Sequence, residues 1–405
     1  MSGSEDHRRR FLLGAFGDPG HAFPMIALGG ALAARGHQVT MQTWRRWHEP
    51  VEQTGMRFAA APEYQVFPTR ERPLKPYEAA VRAAQETRPL IDDARPDAVV
   101  ADILTPAVAL AAEAEGVTWA TLVPHVFPPG GDGFPPYSIG ARLPRTRLGR
   151  AMWRTLEQPV GAGLRRGREE LNGARARLGL PALAGVHGGI SRALCLVGTF
   201  PHLEYPRAWP PGTHVVGPLL WEPPAAGVEL PPGEEPLVLV APSTSQDPEH
   251  RLLRAAVAGL ADLPVRVLAT INRRGLSAPL SVPPNARLVE WVSYAQAMPH
   301  CDVVVCHGGH GTMVRALASG CSVVVAPATG DMHENAARAD WAGVGVRVPW
   351  RFVSPSTLRL AVQRALGDPR LRAGAGELAA WAQRNRGAER AAGLVEQFAA
   401  RQKRS

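Results

Sequence analysis

Apolar residues in the first half of the chain come in short runs that alternate with stretches of helical spacing. Phe11-Leu12-Leu13-Gly14-Ala15-Phe16 reads as a buried strand, and a Gly/Pro turn separates it from residues 25–35, where apolar positions recur at helical spacing. Gly36 offers a stop for that helix, and residues 38–43 read as a second strand. A strand, a helix and a strand in this order make a βαβ unit, which calls for a parallel sheet. The alternation repeats as helix 77–94, strand 98–103, helix 106–115 and strand 117–123. Residues 124–140 are rich in Pro, Gly and aromatics and read as a loop beyond a strand end, where α/β folds gather ligand contacts. A long polar helix is predicted over 150–178, and the last strands of this half over 193–197 and 214–216.

The second half restarts the pattern. Strands are expected at 237–241, 265–270, 287–292, 302–306, 322–326 and 344–348, with helices between them. Beyond Ser354 the chain reads as helix, the last around 388–401. Pro223, Pro224, Pro231, Pro232 and Pro236 mark a semi-extended linker between the halves. The expected architecture is α/β, with two doubly wound Rossmann-like parallel-sheet domains over 1–217 and 237–385. Residues 218–236 link them, and residues 386–405 form a terminal helix. Two such sheets face each other across a cleft, a preferred place for ligands.

Composition narrows the class. The chain has 405 residues, 45% of them apolar and 20% charged, which suits two or three packed domains and not a disordered chain. The net charge is +9, but only Lys75 and Lys403 are lysines, and the 43 arginines are read as spread along the chain. That charge favours small anionic ligands over a nucleic-acid face. Cys195, Cys301, Cys306 and Cys321 form no CxxC pair and sit in or beside apolar runs, as buried reduced thiols do. The apolar stretch behind Arg8-Arg9-Arg10 is short and broken by Gly14, Gly17, Asp18 and Pro19, so neither a signal peptide nor a membrane span is expected, and the protein is read as cytoplasmic.

The strongest local feature is Val303-Val304-Val305-Cys306-His307-Gly308-Gly309-His310-Gly311-Thr312, a strand, a glycine-rich turn and a helix start. Glycines admit close approach to backbone, and a helix start presents unpaired N–H groups and the positive dipole end, together a phosphate site. His307 and Thr312 could add side-chain donors; the competing reading is a tight turn that serves packing alone. No Lys follows the glycines, as a Walker loop requires, and the spacing is not that of a dinucleotide fingerprint. His300, His307, His310 and His333 lack HExxH or Cys/His pairing, so no metal is expected. Downstream, Asp331 follows the next strand, where a carboxylate either accepts from sugar hydroxyls or caps a helix starting near His333. In the first half, His21 lies between the first strand and its helix, placed for a general base or for capping. Asp102 ends the 98–103 strand and could fix the tautomer of His21. No GxSxG accompanies them, so hydrolase chemistry is not supported.

Taken together, these motifs resemble the GT-B glycosyltransferases of family 1, in particular the actinobacterial enzymes of enediyne (calicheamicin-type) and macrolide pathways. The carriers are Gly20-His21 with Pro24, Arg35-Gly36-His37-Gln38-Val39-Thr40, Trp291-Val292, His307-Gly308-Gly309-His310-Gly311-Thr312, and Asp331 with Asn335-Ala336. The resemblance covers essentially the whole chain. It implies an inverting transfer of a sugar from a TDP-sugar or UDP-sugar to a hydroxyl of a small natural product, with no metal or other cofactor. His21 would be the base with Asp102 as its partner. His307, Gly309, Gly311 and Thr312 would hold the donor diphosphate, and so would Ser243 and Thr244, although Pro242-Ser243 departs from the family's usual glycine. Trp291 and Val292 would lie beside the pyrimidine, and Asp331 would contact the sugar. The family often has Gln after that Asp; Met332 stands here and cannot donate, which points to a deoxygenated sugar such as a TDP-deoxysugar. The expected partners are the nucleotide sugar and a natural-product acceptor, with a homodimer allowed and neither nucleic acid nor membrane. The rival readings are a sugar-nucleotide 2-epimerase and a non-catalytic auxiliary protein of the same fold.

Overall fold

The βαβ units close into two sheets. The computed structural model describes residues 8–63, 76–243 and 246–402. The first sheet contains β1 (Arg10–Gly14), β2 (Gln38–Thr43), β3 (Arg57–Ala60), β4 (Ala98–Asp102), β5 (Trp119–Val123), β6 (Cys195–Val197) and β7 (Thr213–Val215), in the order β3-β2-β1-β4-β5-β6-β7. The second contains β8 (Leu237–Ala241), β9 (Arg266–Thr270), β10 (Ala286–Val289), β11 (Val303–Cys306), β12 (Ser322–Val325) and β13 (Gly345–Arg347), in the order β10-β9-β8-β11-β12-β13. Every pairing is parallel. Strands β4, β8, β11 and β12 are buried along their whole length, because helices cover both faces of each sheet. The strand order reverses once in each sheet, between β1 and β4 and between β8 and β11.

Several elements differ from expectation for identifiable reasons. The first helix runs Pro19–Ala34, starting six residues before the expected 25. Pro19 is preset for the first helical position, and the Asp18 carbonyl accepts from His21 and Ala22 N–H at 2.9 and 2.8 Å. A helix at His48–Gln53 and the edge strand β3 carry too short and too exposed a pattern to have been read. The single helix expected over 150–178 is two, Arg147–Arg154 and Glu157–Arg177. Thr146 caps the first by accepting from Gly149 N–H at 3.1 Å. The arginines are also less evenly spread than expected: ten lie between 142 and 177. Four of these, Arg142, Arg154, Arg166 and Arg175, pair with Asp340, Asp132, Glu170 and Glu113.

The chain passes between the sheets at Gly217–Pro218 and again at Asn385–Gly387. These crossings touch. A Cβ on Gly387 would lie 2.3 Å from the Pro218 carbonyl oxygen, and Gly217, at φ +101°, lies against the Trp381 ring. Beyond the second crossing, helix Gly387–Gln402 returns to the N-terminal domain. There Ala391, Val395 and Phe398 join the core of Leu13, Met25 and Leu28. Arg35 ties its surface to Glu389 and Glu396 at 3.0 and 2.8 Å. The four cysteines are buried free thiols. Among the described residues no helix is long and apolar enough to cross a membrane.

Candidate active site

Ligands of open α/β sheets bind beyond the carboxyl ends of the strands, where the strand order reverses. Both reversal points of this chain carry a histidine. At the first, His21 follows β1 and Asp102 ends β4, and His21 Nδ1 lies 2.8 Å from Asp102 Oδ2. The other oxygen, Oδ1, accepts the Leu104 N–H at 2.8 Å, so the fully buried carboxylate is held at both ends. Asp102 therefore fixes a proton on Nδ1 and leaves Nε2 as the free lone pair. Burial lowers the His21 pKa. The Asp102 carboxylate and its hydrogen bond, with Asp18 and Asp331 behind them, outweigh burial and raise it above the ordinary value.

At the second reversal point, His307 follows β11 and its Nδ1 lies 3.3 Å from the Ala241 carbonyl at the end of β8. Nδ1–H donates there, and Nε2 turns over Gly309, where a Cβ would lie 2.5 Å from it. Burial lowers the His307 pKa, opposed by the Ala241 bond and by Asp331 and Asp247. A neutral His307 in this tautomer offers a lone pair at Nε2, so it donates to a phosphate oxygen only as the imidazolium. The helix His310–Ala318 starts beside it with Gly309 as N-cap. Its first ladder bond is Met313 N–H to the Gly309 carbonyl at 3.1 Å, which leaves the N–H groups of His310, Gly311 and Thr312 ahead of the ladder. Thr312 stands in the first turn and is not the cap. Gly308, at φ +89°, lies where a Cβ would be 3.1 Å from both the Met332 Cβ and its carbonyl oxygen.

The third element begins the helix Asp331–Trp341, with Gly330 at φ 55° as its N-cap. Asp331 is thus the first helical residue, and no side chain caps this helix. Asn335 stitches this helix to the His307 loop. Its Nδ2 donates to the Gly308 carbonyl at 2.9 Å and its Oδ1 accepts from His310 Nδ1 at 3.3 Å. Asp331 belongs to the second domain, yet it bears electrostatically on His21 in the first, so the two reversal points face one another.

The remaining sequence candidates fare differently. Trp291 lies beyond β10, half-buried, with the Arg273 guanidinium 5.0 Å from its ring centroid. The Val292 side chain is only 4% exposed and packs in the core, so only its backbone can face a ligand. Ser243 is buried, and its hydroxyl accepts from Gln246 N–H at 2.9 Å. Thr244 lies outside the described residues, and so do residues 64–75 of the irregular, aromatic-rich stretch 64–77 that the sequence offers as an acceptor loop.

Sequence reasoning missed His125. It follows β5, and its ring stands between those of His21 and His310, with centroids at 6.1 and 6.5 Å. Nδ1 donates to the Val126 carbonyl at 2.8 Å. Burial, with His21 nearby, lowers its pKa against that bond. The signal was available, since the rule that singled out Asp102, a polar residue at a strand's carboxyl end, also selects His125. Among the described residues no three His, Cys, Asp or Glu side chains group as metal ligands. A cavity of about 750 Å³, lined by Tyr205, Arg207, Trp209 and the final helix, shares none of the residues of either reversal point.

Two parallel-sheet domains with facing reversal points, a histidine–carboxylate pair on one and a glycine-rich helix start on the other, make the arrangement expected of a GT-B fold. Residues 254–395 match the family described as Erythromycin biosynthesis protein CIII-like, C-terminal domain. The chain is 31% identical to 4'-demethylrebeccamycin synthase of Lentzea aerocolonigenes, over 91% of this chain and 94% of that one. It is 30% identical to O-mycaminosyltylonolide 6-deoxyallosyltransferase of Streptomyces fradiae, over 96% and 97%. Its fold is similar to that of the calicheamicin glycosyltransferase CalG4, with a TM-score of 0.76 at 23% identity over 97% of this chain and 99% of that one. The chain belongs to the family 1 glycosyltransferases of actinobacterial natural-product pathways, and it is a glycosyltransferase.

Proposed function

We propose that the enzyme moves a deoxysugar from a TDP-sugar or UDP-sugar to a hydroxyl of a polyketide- or enediyne-type acceptor, with inversion and without a metal. The observation that carries this reading is the His21–Asp102 pair at 2.8 Å, held opposite Asp331 and the His307 loop. Nε2 of His21 takes the proton of the acceptor hydroxyl as its oxygen bonds the anomeric carbon, and the bond from that carbon to the diphosphate oxygen breaks. The first-turn N–H groups of His310–Ala318, with protonated His307, meet the charge that grows on the leaving diphosphate. Ser243, Gly309, Gly311 and Thr312 line the diphosphate's path, Trp291 and the backbone of Val292 the pyrimidine's, and Asp331 the sugar's. Met332, in place of a donor side chain, suits a sugar lacking a hydroxyl there. A 6-deoxyallosyltransferase among the relatives supports the deoxysugar.

The test is a thermal-shift titration with TDP and UDP, repeated in EDTA, because a ligand of the folded state alone raises the melting temperature. A TDP shift that survives EDTA is expected. No shift with either nucleotide removes the phosphate role of His307–Thr312. In turnover, UDP-glucose equalling TDP-deoxysugars would refute the donor assignment, and retention at the product's anomeric carbon would refute inversion.

A further inference from the structure

Arg338 is a charged side chain at the domain interface that the chemistry above does not use. It lies two turns beyond Asp331 on the helix Asp331–Trp341 and is 2% exposed. Its Nε donates to Glu334 Oε1 at 2.7 Å on the same helix. Its other side-chain hydrogen bonds and its ring contact reach the N-terminal domain. Nη1 donates to the Leu203 carbonyl at 3.0 Å and to Glu204 Oε2 at 3.1 Å, and the guanidinium carbon lies 3.7 Å from the centroid of the Tyr205 ring. Glu204 is itself 6% exposed, and its second oxygen, Oε1, accepts the Phe127 N–H at 2.6 Å. Phe127 stands two residues after His125 in the loop that follows β5. Around this cluster Val126, Phe200 and Leu203 pack into the apolar core of the second domain.

From this geometry we infer that Glu204 and Arg338 are positioning residues: one carboxylate holds the His125 loop by one oxygen and the helix of Asp331 by the other, and so sets the His21 side of the cleft against the sugar side. The inference rests on the donor reading for the placement of the sugar at Asp331. Seven residues of helix, roughly 10 Å, separate Arg338 from Asp331 and transmit its position rigidly. The two crossings at Gly217–Pro218 and Asn385–Gly387 join the domains covalently, and Arg142–Asp340 and the Arg347 contact with the Gly140 carbonyl also bridge them. Diphosphate contacts lie wholly in the second domain, so the tie bears on turnover and leaves nucleotide affinity alone.

Glu204→Gln tests this with little change of shape. A Gln has one oxygen, so its amide must face either the Phe127 N–H or the Arg338 guanidinium, donor against donor. Arg338→Met removes the tie, and Arg338→Lys keeps the charge and can reach only part of it. Turnover is read as TDP released from TDP-rhamnose with 4-methylumbelliferone as acceptor, and nucleotide affinity by TDP titration. Domain separation is read as the distance distribution between spin labels on Gln53→Cys and Gln363→Cys, both exposed, in a chain whose own thiols are buried. The expected result is kcat lower by about 10- to 100-fold in Glu204→Gln, TDP affinity within about twofold, and a broadened distance distribution. Arg338→Lys should fall between wild type and Arg338→Met. A folded Glu204→Gln with wild-type kcat and an unbroadened distribution overturns the inference, as does a loss confined to melting temperature. Should Glu204→Gln not fold, the order of the two Arg338 variants decides. Should wild type bind no TDP, the donor reading fails alone, because the distance distribution needs no nucleotide.

Discussion

Replacing Asp102 with Asn tests the base assignment more sharply than removing His21, because it changes the position of one proton and almost no volume. In the wild type, Oδ1 is committed to the Leu104 N–H and Oδ2 to His21 Nδ1, each at 2.8 Å. An Asn at this buried site keeps its single oxygen toward Leu104, since the alternative sets two N–H groups against each other with no water to relieve them. Its NH2 then faces His21 Nδ1, which must become the acceptor, and the ring proton moves to Nε2. A protonated Nε2 cannot take the acceptor's proton. General-base catalysis is worth ~10²–10⁴-fold, so the loss in kcat is about 2.7–5.5 kcal/mol of transition-state stabilisation. A second consequence is the pH profile. The base must be neutral, and Asp102 helps raise the His21 pKa, so wild-type kcat/KM falls as pH drops through that raised value. Without the carboxylate the folded pKa moves down, and the acidic limb of the residual activity moves to lower pH with it. The assay is kcat and kcat/KM across pH 5–9 (about the range set by an ordinary histidine pKa), with TDP affinity as the control for folding. An Asp102→Asn protein that binds TDP normally and keeps kcat within about threefold of wild type would refute the pair as the catalytic base.

Three further outcomes follow from the second domain. Because His307 is held neutral with its proton toward Ala241, donation to a phosphate oxygen requires a second proton. TDP binding near pH 8 should therefore take up a proton, seen as a buffer-dependent heat in calorimetry and lost in His307→Asn; no uptake in wild type would disprove the contact. Gly308→Ala forces a side chain into φ +89° against the Met332 carbonyl, and should cost roughly 1–3 kcal/mol of stability and weaken TDP binding; an unchanged melting temperature and TDP affinity would show that the loop yields freely. Burial first of all, with His125 nearby, pushes the His310 pKa down to about 3. The unfolded chain thus binds a proton that the folded one refuses, so stability is intact above the ordinary value near 6.5 and falls by up to about 1.4 kcal/mol per pH unit below it, until the pH nears the folded value. His310→Gln should flatten that part of the melting curve against pH, and an identical slope would place the acid sensitivity elsewhere.

How far the sequence reveals this protein depends on whether a feature is written in one stretch or assembled from several. The strand runs of both sheets and the order of the βαβ units are local, and apolar periodicity exposes them. The His307 loop is local too, and its glycines announce it. The His21–Asp102 pair was reachable because each residue ends or follows a strand, and a parallel sheet brings neighbouring strand ends together. His125 obeys the same geometry and was passed over because Pro and aromatic residues around it dominate the pattern of its loop. Helix starts were misjudged where backbone decides them, at Pro19 and at Gly330, since the carbonyl of Asp18 and a positive φ leave little trace in hydrophobic spacing.

Least visible of all is the Glu204–Arg338 contact. Its partners lie 134 residues apart, on opposite domains, and each alone reads as an ordinary surface charge. Only the folded chain removes both from water, and a buried charge left without its partner is strongly destabilising. Burial of this pair is therefore a constraint on the relative placement of the domains, and a two-domain transferase needs one. The His21–Asp102 pair and the His307 loop sit on separate sheets, so neither sheet's own packing fixes the distance between them. Contacts that cross the cleft must do so, and the buried Glu204–Arg338 pair is one of them, beside Arg142–Asp340 and the Arg347 contact with the Gly140 carbonyl.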